Sequence, residues 1–197
     1  MALSPEMIEF CESWMRKADS YTGSNLSDYY NKAFTLFTLY NRLYAEATFT
    51  LAREGTITLA GDKPFPDSKG AKEYAPQFIG HDDLLTHLLK NSDTKLAIEE
   101  LIRLISNETF HIKLSMPFGY AQRDKDLVLL ENLRSQDIAT KVSAIMDAIY
   151  SVRCNMFHGN KAFSEVQIEL LEAITTILRS IVELLFRRLR QHEERNI

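Results

Sequence analysis

The sequence of 197 residues contains little cysteine: Cys11 and Cys154 are its only thiols. Their positions match neither a disulfide framework nor a zinc site, so we expect two free thiols in a reducing compartment. No apolar run reaches the roughly 18 residues that a membrane span needs. The N-terminus lacks the basic and apolar regions of a signal peptide. The sequence therefore predicts a cytoplasmic protein that does not cross a membrane.

The sequence contains no motif for a phosphate loop, a paired-cysteine zinc site or a serine-nucleophile elbow, and it has no internal repeat. His81 and His87 stand six residues apart, which does not place them on one helical face, so we expect no metal and no other cofactor. The formal net charge of -4 argues against broad electrostatic binding of nucleic acid, because such binding depends on many Lys and Arg side chains. Any contact with nucleic acid must be local.

Helical periodicity dominates what is present. Apolar residues recur at steps of three and four, and candidate capping residues precede each run. Residues 1–197 are therefore expected to form one all-α domain, an up-and-down helical bundle. The last helix has an unusually wide apolar face, so it is either central in the bundle or shared with a second subunit. The predicted helices begin at Ser4-Pro5, Ser27-Asp28, Asp82, Asp93-Thr94, Asp124, Ser135 and the capping box Ser164 to Gln167.

Residues 54–80, from Glu54 to Gly80, interrupt the helical periodicity because glycine and proline are frequent there. We expect a loop-rich insertion after the second helix that covers a site, mediates contacts or moves. Asn41 lies close to the apolar stripe of the second helix, so it is expected to have an internal hydrogen-bond partner.

The strongest functional signal is Tyr150-Ser-Val-Arg-Cys-Asn-Met-Phe-His-Gly159. It places Arg153, Asn155 and His158 where an amphipathic helix stops at a glycine. Arg187 and His192 have the same spacing in a polar segment with no glycine after the histidine, so the spacing alone is a weak signal. On residue chemistry alone, the three polar residues could instead cap exposed carbonyls at the helix end. Cys154 and His158, four residues apart, could also form a thiolate-imidazole pair.

Arg153-Cys-Asn-Met-Phe-His-Gly159 resembles the signature of the HEPN superfamily, in which an Arg, usually with an Asn nearby, precedes a His by four to six residues. Three segments resemble those of a bacterial branch related to the Apea-like HEPN proteins: Tyr150-Ser-Val-Arg before the motif, Gly-Asn-Lys161 after it, and Gln122-Arg-Asp-Lys-Asp-Leu127. Leu39-Tyr-Asn-Arg-Leu-Tyr44 also resembles an Asn and Tyr pattern on an early helix of such proteins. The resemblance extends over residues 27–190 and is dense over residues 120–165. In many members the Asn directly follows the Arg, whereas here Cys154 intervenes.

The resemblance implies a helical bundle that dimerises near the motif and acts as a metal-independent endoribonuclease, leaving a 2′,3′-cyclic phosphate and a 5′-hydroxyl. His158 would be the general acid/base, because histidine is the side chain whose ordinary pKa is near neutral. Arg153 would bind the phosphate, Asn155 would orient groups by hydrogen bonding, and Lys161 would add positive charge near the substrate. RNA, a second copy of the chain and a neutralising protein are the implied partners, in bacterial stress or phage defence. The alternative is a non-catalytic HEPN module that binds RNA, a nucleotide or a partner protein.

Overall fold

The computed structural model describes residues 3–23, 25–59, 65–115, 118–157 and 167–194. These residues form an all-α helical bundle, which confirms the predicted fold class. An isolated antiparallel bridge between Leu114 and Ala121 is the nearest approach to a strand among them. The elements are α1 (Pro5–Ser20), α2 (Leu26–Arg53), α3 (Asp67–Lys69), a π-helical turn (Gly70–Tyr74), α4 (Ala75–Ile79), α5 (His81–Lys90), α6 (Ser92–Ser106), α7 (Arg123–Arg134), α8 (Ile138–Phe157) and α9 (Ile168–Glu194).

Side-chain caps begin α1, α2, α6 and α8, although not always at the predicted residue. Ser4 accepts a hydrogen bond from the backbone amide of Met7 at 3.3 Å, as expected for α1. For α2 the cap is Asn25 rather than Ser27-Asp28, and for α6 it is Asn91 rather than Asp93-Thr94. For α8 the side chain of Asp137, not Ser135, accepts from the amide of Thr140 at 2.7 Å. Each segment offered more than one residue able to cap, and sequence alone does not rank them.

Helix α9 lies in the centre of the bundle and packs mainly against α2 and α6. Its apolar side chains, including Ile174, Ile177 and Ile181, are fully buried by helices of the same chain. This accounts for the wide apolar face without a second subunit, because burying each such side chain stabilises the fold by about 1.5–3 kcal/mol. None of the helices in the described ranges combines the length and the apolar character needed to cross a membrane.

The loop predicted for residues 54–80 is wrong for its second half, where α3, the π-helical turn and α4 follow one another without a break. Pro76 is the second residue of α4 and follows directly after the π-helical turn. Gly70 is required by close packing rather than by a turn. A Cβ added at Gly70 would lie 3.0 Å from Cδ2 of Tyr44 and 3.2 Å from Cζ of Phe65. Gly70 and Pro76, two of the residues that were interpreted as breakers, therefore lie within helical structure.

Asp126 holds the connection between α6 and α7 against the bundle. Asp126 is buried, with 4% of the residue exposed. Its carboxylate accepts hydrogen bonds from the backbone amides of Ile112 at 3.1 Å and Lys113 at 2.8 Å. The ring of His111 lies 3.1 Å from the other carboxylate oxygen. A buried carboxylate with several hydrogen bonds fixes the backbone of this connection, and with it the position of the Lys113 side chain.

Candidate functional site

Arg153 lies in the last turn of α8 between two aromatic rings. Its guanidinium carbon is 5.4 Å from the ring centre of Tyr150 and 5.4 Å from that of Phe157. These residues are three before and four after Arg153, the spacings that bring side chains together on one helical face. The Arg153 side chain is 20% exposed. The rings therefore hold a cation at the surface of the bundle by cation–π contacts.

Asp67, the first residue of α3, joins Arg153 to two tyrosines. Nη1 of Arg153 donates to Oδ2 of Asp67 at 3.2 Å, and the hydroxyl of Tyr150 donates to the same oxygen at 3.0 Å. The hydroxyl of Tyr44, from α2, donates to Oδ1. Three donors from two helices thus converge on one carboxylate. Sequence reasoning missed Asp67 because it placed this residue in a loop 86 positions from Arg153.

The cluster fixes the protonation of its members. Burial raises the pKa of Tyr150 to about 12, and the hydrogen bond and negative charge of Asp67 act in the same direction. Burial and Asp67 also raise the pKa of Tyr44 above its ordinary value. Burial disfavours the charged form of Arg153, but the charge of Asp67 and smaller effects of the tyrosines outweigh it, so the pKa of Arg153 is raised. At neutral pH both hydroxyls are donors and the guanidinium is charged.

Within the described part of the chain, Arg153 uses little of its hydrogen-bonding capacity. A guanidinium has five N–H donors, and the bond to Asp67 uses one of them, on Nη1. Nε of Arg153 is buried and has no hydrogen-bond partner among the described residues. The Nε–Nη2 edge is one of the paired-donor edges that match two oxygens of a phosphate or carboxylate. An acceptor placed there would satisfy a donor that is otherwise buried at a cost in free energy.

Asn41 faces the same region from α2. Phe37 lies four residues before it and is near Phe157, with ring centres 6.5 Å apart, while Tyr44 lies three residues after it and contacts Asp67. Helical spacing puts Asn41 between these two contacts, on the side of α2 that faces Arg153. Its Oδ1 is buried and has no hydrogen-bond partner among the described residues, so the internal partner expected for Asn41 is not found at this oxygen. Asn41 thus adds an unsatisfied acceptor on the helix that also carries Tyr44.

Asn155 is not brought together with Arg153. Two residues apart on a helix, their side chains point about 200° away from each other. The Asn155 side chain is buried, and its Nδ2 donates to the carbonyl of Ile112 at 2.9 Å. It ties α8 to the connection between α6 and α7, so its contact is with a carbonyl of another segment rather than with its own helix end.

The remaining predicted site residues divide between described and undescribed parts of the chain. His158 and Lys161 lie outside the described residues, as does Ser164 of the predicted capping box. Cys154 is half-buried and is a free thiol. His192, expected in a fraying segment, instead lies in α9 with Nε2 2.5 Å from Oε1 of Glu54. Within the described residues, no group of three or more His, Cys, Asp or Glu side chains is placed to hold a metal ion.

No family model, no curated protein and no solved structure matches this chain.

Proposed function

We propose that the protein is a metal-independent endoribonuclease in which Arg153 binds the scissile phosphate and His158 transfers protons. The observation that carries the proposal is the buried Nε of Arg153, which has no acceptor among the described residues. Arg153 is charged, is held by Asp67 through Nη1, and has a side chain that is 20% exposed, so its remaining donors suit a phosphate. Because each nucleotide of RNA carries one phosphate, a single positively charged side chain is sufficient to bind the phosphate that is cleaved. The acidic net charge of the chain therefore does not prevent RNA binding at this site.

The reaction requires two proton transfers and stabilisation of negative charge. The ribose 2′-oxygen attacks the neighbouring phosphorus and loses its proton, while the bond from phosphorus to the 5′-oxygen breaks and that oxygen gains a proton. The products are a 2′,3′-cyclic phosphate and a 5′-hydroxyl. His158 accepts or donates one of these protons near neutral pH. Arg153 stabilises the charge that develops on the phosphate oxygens, and Lys161, three residues after His158, adds positive charge.

Asp67, Tyr44 and Tyr150 position Arg153 rather than react. The carboxylate accepts from Nη1 at 3.2 Å, and its two tyrosine contacts restrict where it can move. A preorganised cation stabilises a transition state better than a mobile one, because no reorganisation is needed during the reaction. Asn41 fits the orienting role predicted for Asn155 better than Asn155 does. Its free Oδ1 can accept a hydrogen bond from the substrate or from a catalytic group, whereas Nδ2 of Asn155 bonds Ile112.

The active form in this proposal is a homodimer with the motif at the interface. Phe34 and Phe157 are 37% and 49% exposed, and their rings pack edge to face with centres 4.9 Å apart. Phe157 also covers one face of Arg153. Exposed aromatic pairs beside a site are typical of protein interfaces. A second copy would supply a second His158, so that one histidine removes the proton from the 2′-hydroxyl and the other protonates the 5′-oxygen.

Labelled RNA in the presence of a chelator tests the proposal. We expect cleavage by the wild type and loss of at least about a hundredfold in rate for Arg153→Ala and His158→Ala. Arg187→Ala and His192→Ala, which repeat the same spacing on α9, are the matched controls and should cleave like the wild type. Equal cleavage by Arg153→Ala would exclude the assigned role. If the wild type binds RNA through Arg153 but never cuts it, the non-catalytic binding module is the correct function.

Mixing the wild type with His158→Ala tests the composite site. A heterodimer of the two contains only one His158, so cleavage should fall below the value expected from the wild-type fraction of the mixture. Sedimentation should show a dimer at micromolar concentration, and Phe157→Ser should shift it toward monomer. A monomer at that concentration in the wild type would rule out the shared site.

A further inference from the structure

A cleft of about 420 Å³ lies between the π-helical turn, α7 and α8. Lys72 comes from the π-helical turn, Lys125 from α7 and Lys113 from the connection between α6 and α7, so three separate segments each contribute a lysine to the lining. The cleft is lined by none of the residues of the Arg153 cluster described above. Its size is within the roughly 300–1,000 Å³ range of small-molecule sites.

Two of these ammonium groups share a single carboxylate. Nζ of Lys72 is 3.2 Å from Oδ1 of Asp147, and Nζ of Lys113 donates to Oδ2 of the same residue and to Oγ of Ser151 at 2.9 Å. Burial favours the neutral acid, but Lys113 and Lys72 outweigh it and hold the pKa of Asp147 below its ordinary value. Each ammonium has three donors. One of Lys113 and two of Lys72 therefore have no partner among these contacts.

Lys125 adds a third positive charge at the exposed rim of the cleft, and no ion pair involving it occurs among the described residues. Against the three lysines stand two carboxylates, Glu73 and Asp147, so the lining carries a net charge of +1 in a chain of net charge -4. A positive cleft on an acidic protein concentrates small anions and not cations.

We propose that this cleft binds a small phosphate monoester. The ammonium groups would contact the phosphate as point charges, and the side chains of Asn132 and Ser143 add neutral hydrogen-bonding groups to the lining. Leu129 and Ala144 are buried and form an apolar wall. That wall suits the organic part of an ester and would give no advantage to inorganic phosphate. The proposal goes beyond the ribonuclease and does not depend on it, because the ligand is bound and not cleaved.

Isothermal titration with phenyl phosphate tests the proposal on the whole 197-residue chain without RNA. We expect saturable binding by the wild type, weaker binding of inorganic phosphate, and no binding of phenol. Lys125→Gln should weaken the affinity for phenyl phosphate by about fivefold, since an exposed charge contact is worth up to about 1 kcal/mol. Glu73→Gln removes a negative charge from the same lining and should tighten binding by a similar factor. Lys95→Gln, an exposed lysine of α6 outside the cleft, should bind like the wild type.

The opposite signs for Lys125→Gln and Glu73→Gln separate a charge effect from damage to the fold, because damage would weaken binding in both. Both side chains are exposed, so both variants should keep the helical circular dichroism and the melting temperature of the wild type. No saturable heat with phenyl phosphate up to millimolar concentration would overturn the proposal. It would also fail if both variants bound like Lys95→Gln, or if phenol bound as tightly as its phosphate.

Discussion

The carboxylate of Asp67 should be one of the most important single polar groups for the stability of the Arg153 region. Asp67→Ala removes the acceptor for Tyr44, Tyr150 and Arg153 together. Because the Asp67 side chain is 44% exposed, we take about 1 kcal/mol for each tyrosine hydrogen bond and about 0.5 kcal/mol for the ion pair. The free energy of unfolding should fall by about 2.5 kcal/mol, and the melting temperature by about 5–10 °C.

Urea unfolding followed by far-ultraviolet circular dichroism measures this loss. The dependence of the free energy on urea concentration should stay unchanged, because the surface exposed on unfolding is the same. Asp124→Ala, an exposed aspartate in the first turn of α7, is the matched control and should cost far less. A double-mutant cycle of Asp67→Ala with Tyr150→Phe isolates their interaction. A loss below about 0.5 kcal/mol for Asp67→Ala, or a coupling energy within about 0.3 kcal/mol of zero, would refute the role assigned to Asp67.

Three further predictions concern other polar groups. Asn41→Leu should raise the free energy of unfolding, measured in urea, by about 1 kcal/mol, because it removes a buried acceptor without a partner. RNA cleavage by this variant should fall. A loss of stability would contradict the unpartnered state assigned to Oδ1 of Asn41. Asp126→Ala should lower the free energy of unfolding by about 3 kcal/mol, since the amides of Ile112 and Lys113 lose their acceptor. If this variant were as stable as the wild type, the hydrogen bonds assigned to Asp126 would be excluded. The pKa of Tyr150 is raised to about 12 in the folded protein from an ordinary value of about 10, so the folded state holds more protons between these pH values and its stability should fall as pH rises through them. Urea unfolding at alkaline pH should show that Tyr150→Phe weakens this fall, and an unchanged dependence on pH would contradict it.

Local signals in the sequence were sufficient for most of the fold. The apolar periodicity of α9 and the Ser4-Pro5 start of α1 are properties of neighbouring residues, so they could be recognised without the structure. The helices over Asp67–Ile79 were missed because the glycines and prolines of residues 54–80 together indicated a loop. At Gly70 the real cause of the glycine is the close approach of Tyr44 and Phe65, which only the folded chain contains.

The candidate site was only half predictable for the same reason. Arg153 could be selected because an amphipathic helix and a glycine surround its motif. Asp67 could not, since nothing near it in sequence indicates a partner 86 residues away. Asn155 was predicted to act beside Arg153, but the pitch of α8 turns it toward Ile112. Asn41 was recognised as polar within an apolar stripe, yet its lack of a hydrogen-bond partner is visible only in three dimensions.

The central claim is that Arg153 and His158 cleave RNA through the 2′-hydroxyl without a metal. The most direct measurement incubates the wild-type protein, in chelator, with one labelled RNA and with the same sequence made as DNA. The account predicts that only the RNA is cut, and that each new 3′ end carries a 2′,3′-cyclic phosphate and each new 5′ end a hydroxyl. Uncut RNA, or equal cutting of RNA and DNA, would contradict it.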